Sequence, residues 1–136
     1  MNSTEGSTNA PTGMIRTGED YIRSLRGRSL EVWLFGERVE EPVDHPVIRP
    51  SINAVAATYD LAESDPDLAT AISPYTGARV NRFLHIAGSR EDVVNQNKMQ
   101  RRLGQLTGTC FQRCVGMDAF NSLHSVTFEI DQALSL

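Results

Sequence analysis

Residues 98–131, KMQRRLGQLTGTCFQRCVGMDAFNSLHSVTFEID, hold the two cysteines of the chain, Cys110 and Cys114, four residues apart. If a single helix runs unbroken from Met99, then Leu103, Leu106, Cys110, Cys114 and Met117 return to one side of a 3.6-residue period, and both sulfurs share a face. Gly104, Gly108 and Gly116 oppose that reading, because each glycine costs a helix interior about 0.5–1 kcal/mol relative to alanine. Gly108 marks the place where such a helix would break. The pair itself reads in three ways: two core cysteines packed as small hydrophobes, half of a metal or cluster site, or a disulfide or redox pair. C-x3-C lacks the C-x2-C spacing of common zinc sites, and two thiols are fewer than the three or four ligands a closed site takes.

Working outward, the chain reads as mainly α. Ser89 followed by Asp92 is a capping signal for a helix carrying Val93, Val94, Lys98, Met99 and Leu103, which leads into the cysteines. Arg101, Arg102 and Arg113 surround them, either as a solvated helix face or as counter-charges to a bound anion such as a phosphate or a thiolate-ligated cluster. After Gly116, residues 117–130 read as a last helix with Phe120, Leu123 and Thr127 along it. His124, ten residues past Cys114, is a weak candidate ligand. Upstream, residues 80–86 (VNRFLHI) read as a short strand or extended loop in which Arg82 and His85 serve structural hydrogen bonds. Residues 68–72 suggest a helical turn, and SPYTG at 73–77 a chain reversal.

The first half has its own signals. Pro50 suits N1 of a helix whose apolar stripe is Ile52, Val55, Ala56, Tyr59 and Ala62. Before it, Pro42, Pro46 and Pro50 stiffen a loop in which His45 reads as a capping residue rather than a ligand or base. Residues 30–39 suggest a small β-hairpin turning at Gly36. There Trp33 and Phe35 alternate with Val32 and Leu34, both strand faces are covered, and Trp33 belongs to core packing rather than to a cofactor platform. Thr17 and Asp20 cap a helix over 18–26. Residues 1–13, MNSTEGSTNAPTG, are too polar to bury surface and read as a disordered leader.

A chain of 136 residues with 40% hydrophobic content suits one domain, 14–136, beyond that leader. A formal charge of −4 supplies no basic field for nucleic acid or an anionic membrane, and no apolar run reaches the roughly 20 residues of a bilayer span. A cytoplasmic location follows as the expectation, and thiols in that compartment stay reduced unless a metal takes them. No glycine-rich phosphate loop and no serine–histidine–acid set stands at recognisable spacing.

The run CFQRCVGMDAFN (110–121), followed by TFEID (127–131), resembles the N-terminal domain of the 4-hydroxybutyryl-CoA dehydratase/vinylacetyl-CoA isomerase family. Further pieces agree in order: TGEDYIRSLR (17–26), VWLFGERVE (32–40), DHPVIRPSINAVAATYDLA (44–62), TGARVNRFLHI (76–86) and KMQRRLGQ (98–105). The resemblance extends, more distantly, to flavin-dependent 4-hydroxyphenylacetate 3-monooxygenases, which share the domain but not the cysteine pair. It implies the N-terminal helical domain of an acyl-CoA-dehydrogenase-like fold, with the middle β-domain and C-terminal helical domain absent from this chain. It further implies an acyl-CoA substrate, FAD, and a 4Fe–4S cluster held by three cysteines and one histidine. Carried over, Cys110 and Cys114 become two of those ligands, placed on a helix, and the other two lie downstream. The chain alone is then expected to be inactive unless a complementing chain supplies them, and the complete enzyme to be a homo-oligomer. Two rivals stand beside this reading, a monooxygenase-type flavoenzyme and a non-catalytic helical remnant that binds a partner.

Overall fold

The computed structural model describes residues 14–135; the expected leader, 1–13, lies outside the described residues. Five helices and two small hairpins follow one another in the order α1 (Gly18–Leu25), β1 (Val32–Leu34), β2 (Glu37–Val39), α2 (Arg49–Ser64), α3 (Pro66–Ala69), β3 (Thr70–Ile72), β4 (Arg79–Asn81), a 3₁₀ turn (Arg82–Leu84), α4 (Arg90–Thr107) and α5 (Cys114–Leu134). The mainly helical reading holds. No helix among the described residues is long and apolar enough to cross a membrane.

Local chemistry sets most boundaries. At α1 the Thr17 hydroxyl accepts the Asp20 N–H and the Asp20 carboxylate accepts the Thr17 N–H, each at 3.1 Å, a reciprocal cap that satisfies two otherwise orphaned donors. Pro50 stands one position later than expected, at N2 of α2, because Arg49 already adopts helical geometry after the Ile48 N-cap. Asp65 closes α2 and, with its side chain on the Leu68 N–H at 3.2 Å, opens α3. Gly108 ends α4 in the left-handed region, φ 62°, donating its N–H to the Gly104 carbonyl.

Helix α2 lies at the centre and is covered on two sides. Toward α1, the Gly18 N–H donates to Asp60 Oδ1 at 2.7 Å and Tyr21 stacks on Tyr59 with ring centroids 5.4 Å apart. Elsewhere on the helix, Ala54 and Leu61 join Ala69, Phe83, Met99, Leu103, Phe111 and Met117 in one buried cluster. The buried positions are Ile52, Ala54, Ala56, Thr58 and Leu61 rather than the single expected stripe, since a helix with neighbours on two sides buries more than one row.

Two expectations fail at the hairpins. Trp33 is 61% and Phe35 87% exposed. The two-stranded β1–β2 sheet has only Val39 buried, so no layer covers its second face and Trp33 is not a core residue. Its turn, Phe35 (φ 53°) and Gly36 (φ 83°), has the double positive φ of the two-residue turns that suit strand twist. The expected helical turn at 68–72 is in fact the end of α3 followed by β3, which pairs antiparallel with β4, Thr70 opposite Asn81. Arg82, buried, clamps this corner by donating to the carbonyls of Asp67, Leu68 and Thr70, the structural role expected of it.

At the start of α4 the Asp92 carboxylate accepts from the Gly88 N–H (3.1 Å) and the Ser89 hydroxyl (2.8 Å). The buried His85 ring brings Nε2 within 3.1 Å of Asp92 Oδ1, although neither ring nitrogen is aligned for a hydrogen bond. Burial pushes the Asp92 carboxyl up, and the Ser89 hydroxyl, the Gly88 N–H and the His85 ring outweigh it and hold the group below its usual 3.8.

Two measurements check this architecture. A Cβ at Gly18 would stand 2.5 Å from Asp60 Oδ2 and 2.9 Å from the Ala56 backbone oxygen, whereas one at Gly104 meets nothing within 4 Å. In urea unfolding, Gly18→Ala is expected to cost about 1–3 kcal/mol and Gly104→Ala to stabilise by about 0.5–1 kcal/mol. Because the folded Asp92 carboxyl sits below its unfolded value, its contribution is complete above about pH 4 and is lost as pH falls through the folded value. The stability gap between wild type and Asp92→Asn should therefore be full near neutrality and close progressively in acid.

Candidate functional site

The cysteines do not share a helix face. Helix α4 stops at Thr107, the segment 108–113 is a loop, and Cys114 is the first residue of α5. Cys110 is exposed in that loop and Cys114 is half-buried at the helix start; both are free thiols. The break falls at Gly108, where the left-handed backbone costs glycine nothing, and a second left-handed residue, Gln112 (φ 57°), turns the chain back toward α5.

Phe111, between the cysteines, is what fixes the loop. Its ring is buried in the core cluster and meets Phe83 at 5.6 Å between centroids. With that side chain drawn inward, its neighbours Cys110 and Gln112 stay exposed, and the Gln112 N–H donates to Cys110 Sγ at 3.4 Å. An N–H aimed at sulfur stabilises negative charge there, as do the free amides that open α5 beside Cys114.

Arg113 departs from the solvated face expected of it. Its guanidinium lies 4.5 Å from the Tyr59 ring centroid and 4.9 Å from that of Phe83, and it donates to Thr58 Oγ1 at 2.8 Å. It has no carboxylate partner among the described residues. Burial lowers its proton affinity below the ordinary arginine value, partly countered by Tyr59 and Tyr21. Arg101 and Arg102 are exposed on α4, as a solvated face requires. Thr58, Tyr59 and Phe83 thus belong to the surroundings of the site, though no spacing rule pointed to them: they come from α2 and the 3₁₀ turn and meet Arg113 only through the tertiary fold.

The remaining candidates lie apart. His124 pairs with Tyr75, ring centroids 5.7 Å apart, and stands ten residues into α5 from Cys114, about 15 Å of helix rise. His45 Nδ1 accepts the Val47 N–H at 3.2 Å, the local capping role expected. Beside the cysteine loop is an open cleft of about 260 Å³ lined by Phe83, Leu84, Gln112, Arg113, Met117 and Phe120. A larger hollow of about 610 Å³ lies by the first hairpin, with Glu37, Glu40, Glu41 and Asp44 on its walls; neither cysteine lines either space, but the smaller one takes Gln112, Arg113 and Gly116 from the chain flanking the cysteines. No group of three or more His, Cys, Asp or Glu side chains able to hold a metal occurs among the described residues. The donor set, one exposed and one half-exposed thiol with an N–H on sulfur, fits two ligands of a thiolate-bound centre whose other ligands come from elsewhere.

Comparison with known proteins agrees in fold and sequence. The chain is 55% identical over 122 residues to the 4-hydroxybutyryl-CoA dehydratase/vinylacetyl-CoA-Δ-isomerase of Clostridium aminobutyricum, covering 88% of this chain and 25% of that protein. An oxygen-tolerant archaeal 4-hydroxybutyryl-CoA dehydratase from N. maritimus superposes with a TM-score of 0.84 at 72% identity, over 90% of this chain and 25% of the other. The FAD-complexed oxygenase component of 4-hydroxyphenylacetate 3-monooxygenase follows at a TM-score of 0.55 and 30% identity, over 66% of this chain and 19% of its own. The chain therefore spans about a quarter of the length of the dehydratases it matches. Residues 17–135 match the family described as 4-hydroxyphenylacetate 3-hydroxylase N terminal, and the chain belongs to that family.

Proposed function

We propose that this chain is the N-terminal helical part of a 4-hydroxybutyryl-CoA dehydratase with vinylacetyl-CoA isomerase activity, and that Cys110 and Cys114 are two ligands of its 4Fe–4S cluster. The observation that carries the reading is the cysteine loop itself: two free thiols, one exposed and one half-buried, flank an anchored Phe111 in a chain similar over about nine tenths of its length to proteins of that name. When bound, such a cluster supplies a Lewis acid for the departing hydroxyl, while the flavin supplies the redox chemistry.

The chain's own contribution is positional. Phe111 holds the loop to the core, and the Gln112 N–H supports negative charge on the Cys110 sulfur. Phe83, Leu84, Met117 and Phe120 give the neighbouring cleft an apolar wall, which limits water at a site where a hydroxyl must leave. No residue of this chain is assigned to FAD. The domain 14–136 is read as one layer of an acyl-CoA-dehydrogenase-like body whose middle β-domain and C-terminal helical domain supply the remaining ligands and most of the flavin site. Helix α5 supports that reading, since it exposes Val115, Leu123, Val126, Ile130 and Leu134 by 50–70% on one side while Met117 is buried on another, and a helix apolar on two sides suits packing between two layers. A cytoplasmic, homo-oligomeric enzyme acting on an acyl-CoA is the corresponding whole.

The test is anaerobic iron and sulfide analysis with a visible spectrum, on this chain alone and co-expressed with a polypeptide carrying the other three quarters of the archaeal relative. Stoichiometric cluster and loss of water from 4-hydroxybutyryl-CoA are expected only in the pair, and both should disappear in Cys110→Ala or Cys114→Ala. A pair that forms no cluster, or one that is indifferent to both substitutions, would overturn the assignment and leave the cysteines as ordinary packing residues.

A further inference from the structure

The first hairpin leaves two large aromatics in water, and one of them is costly in a second way. Phe35, 87% exposed at the tip, holds a left-handed backbone at φ 53°, which is unfavourable for a bulky side chain; asparagine is the residue that suits this turn position before Gly36. Behind the tip, burial alternates. Val32 and Leu34 are half-buried and Val39 is buried, whereas Trp33 and its cross-strand partner Arg38 are exposed. The hairpin turns one face to the body and presents Trp33 and Phe35 to the outside. At its base is an open apolar pocket of about 220 Å³, floored by Leu25, Val43 and Ile52, with Leu30 and Arg28 at the lip. A cavity of about 150 Å³ accepts a benzene ring, so this one has room for a phenylalanine side chain. Phe35 of the same chain cannot reach it, because the tip stands five residues from Leu30, roughly 15 Å along the strand. The charges follow the same division. Glu37 beside the tip and Arg28 at the lip have no ion-pair partner among the described residues, while Arg26 pairs with Asp44 and Arg38 with Glu40 between them.

We propose that this hairpin is a reciprocal contact between two copies of the chain, each seating its Phe35 in the base pocket of the other, with Glu37 of one copy against Arg28 of the other. A second copy is the occupant because one hairpin carries both halves of the contact, the ring and unpaired carboxylate at one end and the apolar pocket and unpaired guanidinium at the other. Two such hairpins laid antiparallel about a two-fold axis fill both pockets at once, the self-complementary arrangement by which identical chains most often associate. Trp33 lies between tip and pocket, so it falls near the axis and is covered from both sides, the central place that tryptophan favours in protein contacts. The patch is small, and the contact is correspondingly weak. It is independent of the cysteine reading, and it uses neither the thiol loop nor the apolar ridge of α5.

Trp33 is the single tryptophan of the chain, so its emission reports the contact directly. The experiment follows sedimentation velocity and tryptophan emission of the 136-residue chain across a concentration series. In the wild type, emission should move to shorter wavelength as monomer gives way to dimer. Phe35→Asn should weaken dimerisation at least tenfold and hold emission at the exposed wavelength, while the monomer melts no lower than wild type, since asparagine suits the turn. Arg28→Glu and Glu37→Arg should each self-associate at least tenfold more weakly. Mixed in equal amounts, they should recover a mixed dimer within threefold of wild type, because each carboxylate then meets a guanidinium across both contacts. Binding to a polypeptide carrying the other three quarters of the archaeal relative should stay within threefold of wild type in Phe35→Asn. Emission that ignores concentration, self-association unchanged by Phe35→Asn, or a mixture that fails to recover would each overturn the proposal. So would loss of binding to the larger polypeptide in Phe35→Asn, which would put the tip on that polypeptide instead.

Discussion

The burial of one ring, Phe111, organises the functional end of this chain. A phenylalanine fully withdrawn from water contributes about 1.5–3 kcal/mol, and this one sits against Phe83 within the cluster that also holds Met99, Leu103 and Met117. Because α4 supplies Met99 and Leu103 and α5 supplies Met117, the ring ties the two helices together across the loop that separates them. The backbone must turn sharply on each side to let it in, at Gly108 and again at Gln112. The cysteines are thus set by a packing demand on the residue between them, and their presentation follows from where that ring must go.

A continuous helix would have served the cysteines less well. On one helix face, both sulfurs would have joined the apolar stripe of Leu103 and Met117 and competed with it for the core. The break hands the core position to Phe111 and leaves the thiols on the outer side, Cys110 fully and Cys114 in part. It also frees backbone groups that a helix would have consumed, among them the Gln112 N–H that reaches sulfur. The glycines that make a poor helix of this stretch suit a loop that presents both thiols, and the conflict between helical period and glycine content was itself the signal that the stretch is not a helix.

Where side chains act on their own backbone, the sequence was legible. The Thr17–Asp20 and Ser89–Asp92 caps, the stop at Gly108 and the turn at Gly36 are all decided within four residues, so composition at fixed offsets reveals them. What depends on distant partners was not legible. Strands β3 and β4 are too short for periodicity to register and exist because the 73–77 turn folds one onto the other. Trp33 was assigned to the core because large aromatics usually are, but a two-stranded sheet with nothing laid over it cannot bury both faces. Arg113 was the most misleading. A charged residue in a basic run reads as solvent-facing, and only the arrival of Tyr59 and Phe83 from other elements turns it inward. The cysteine pair was found as a pattern, while the role proposed for it rests on similarity over most of the chain.

The exposed side of α5 bears on how the site works. Along 115, 123, 126, 130 and 134 the apolar side chains recur at steps of three, four and eight, which keeps them on one ridge, and Met117 and Asn121, which accepts nothing from that ridge but receives the Ala87 N–H at 2.8 Å, belong to another side. A monomer in water gains nothing from such a ridge, and an apolar surface of this continuity ordinarily meets another surface. The helix that begins with Cys114 therefore has its first turn fixed to the core through Met117, while its later turns present the apolar ridge to the outside. Whatever packs on the ridge is held in register with the first residue of the helix, so the packing that buries the ridge would also set the distance between Cys114 and any ligands the neighbour brings. Under the ligand role proposed for Cys114, coupling burial to ligand placement in this way would let a centre assemble only when the surrounding apolar wall is closed.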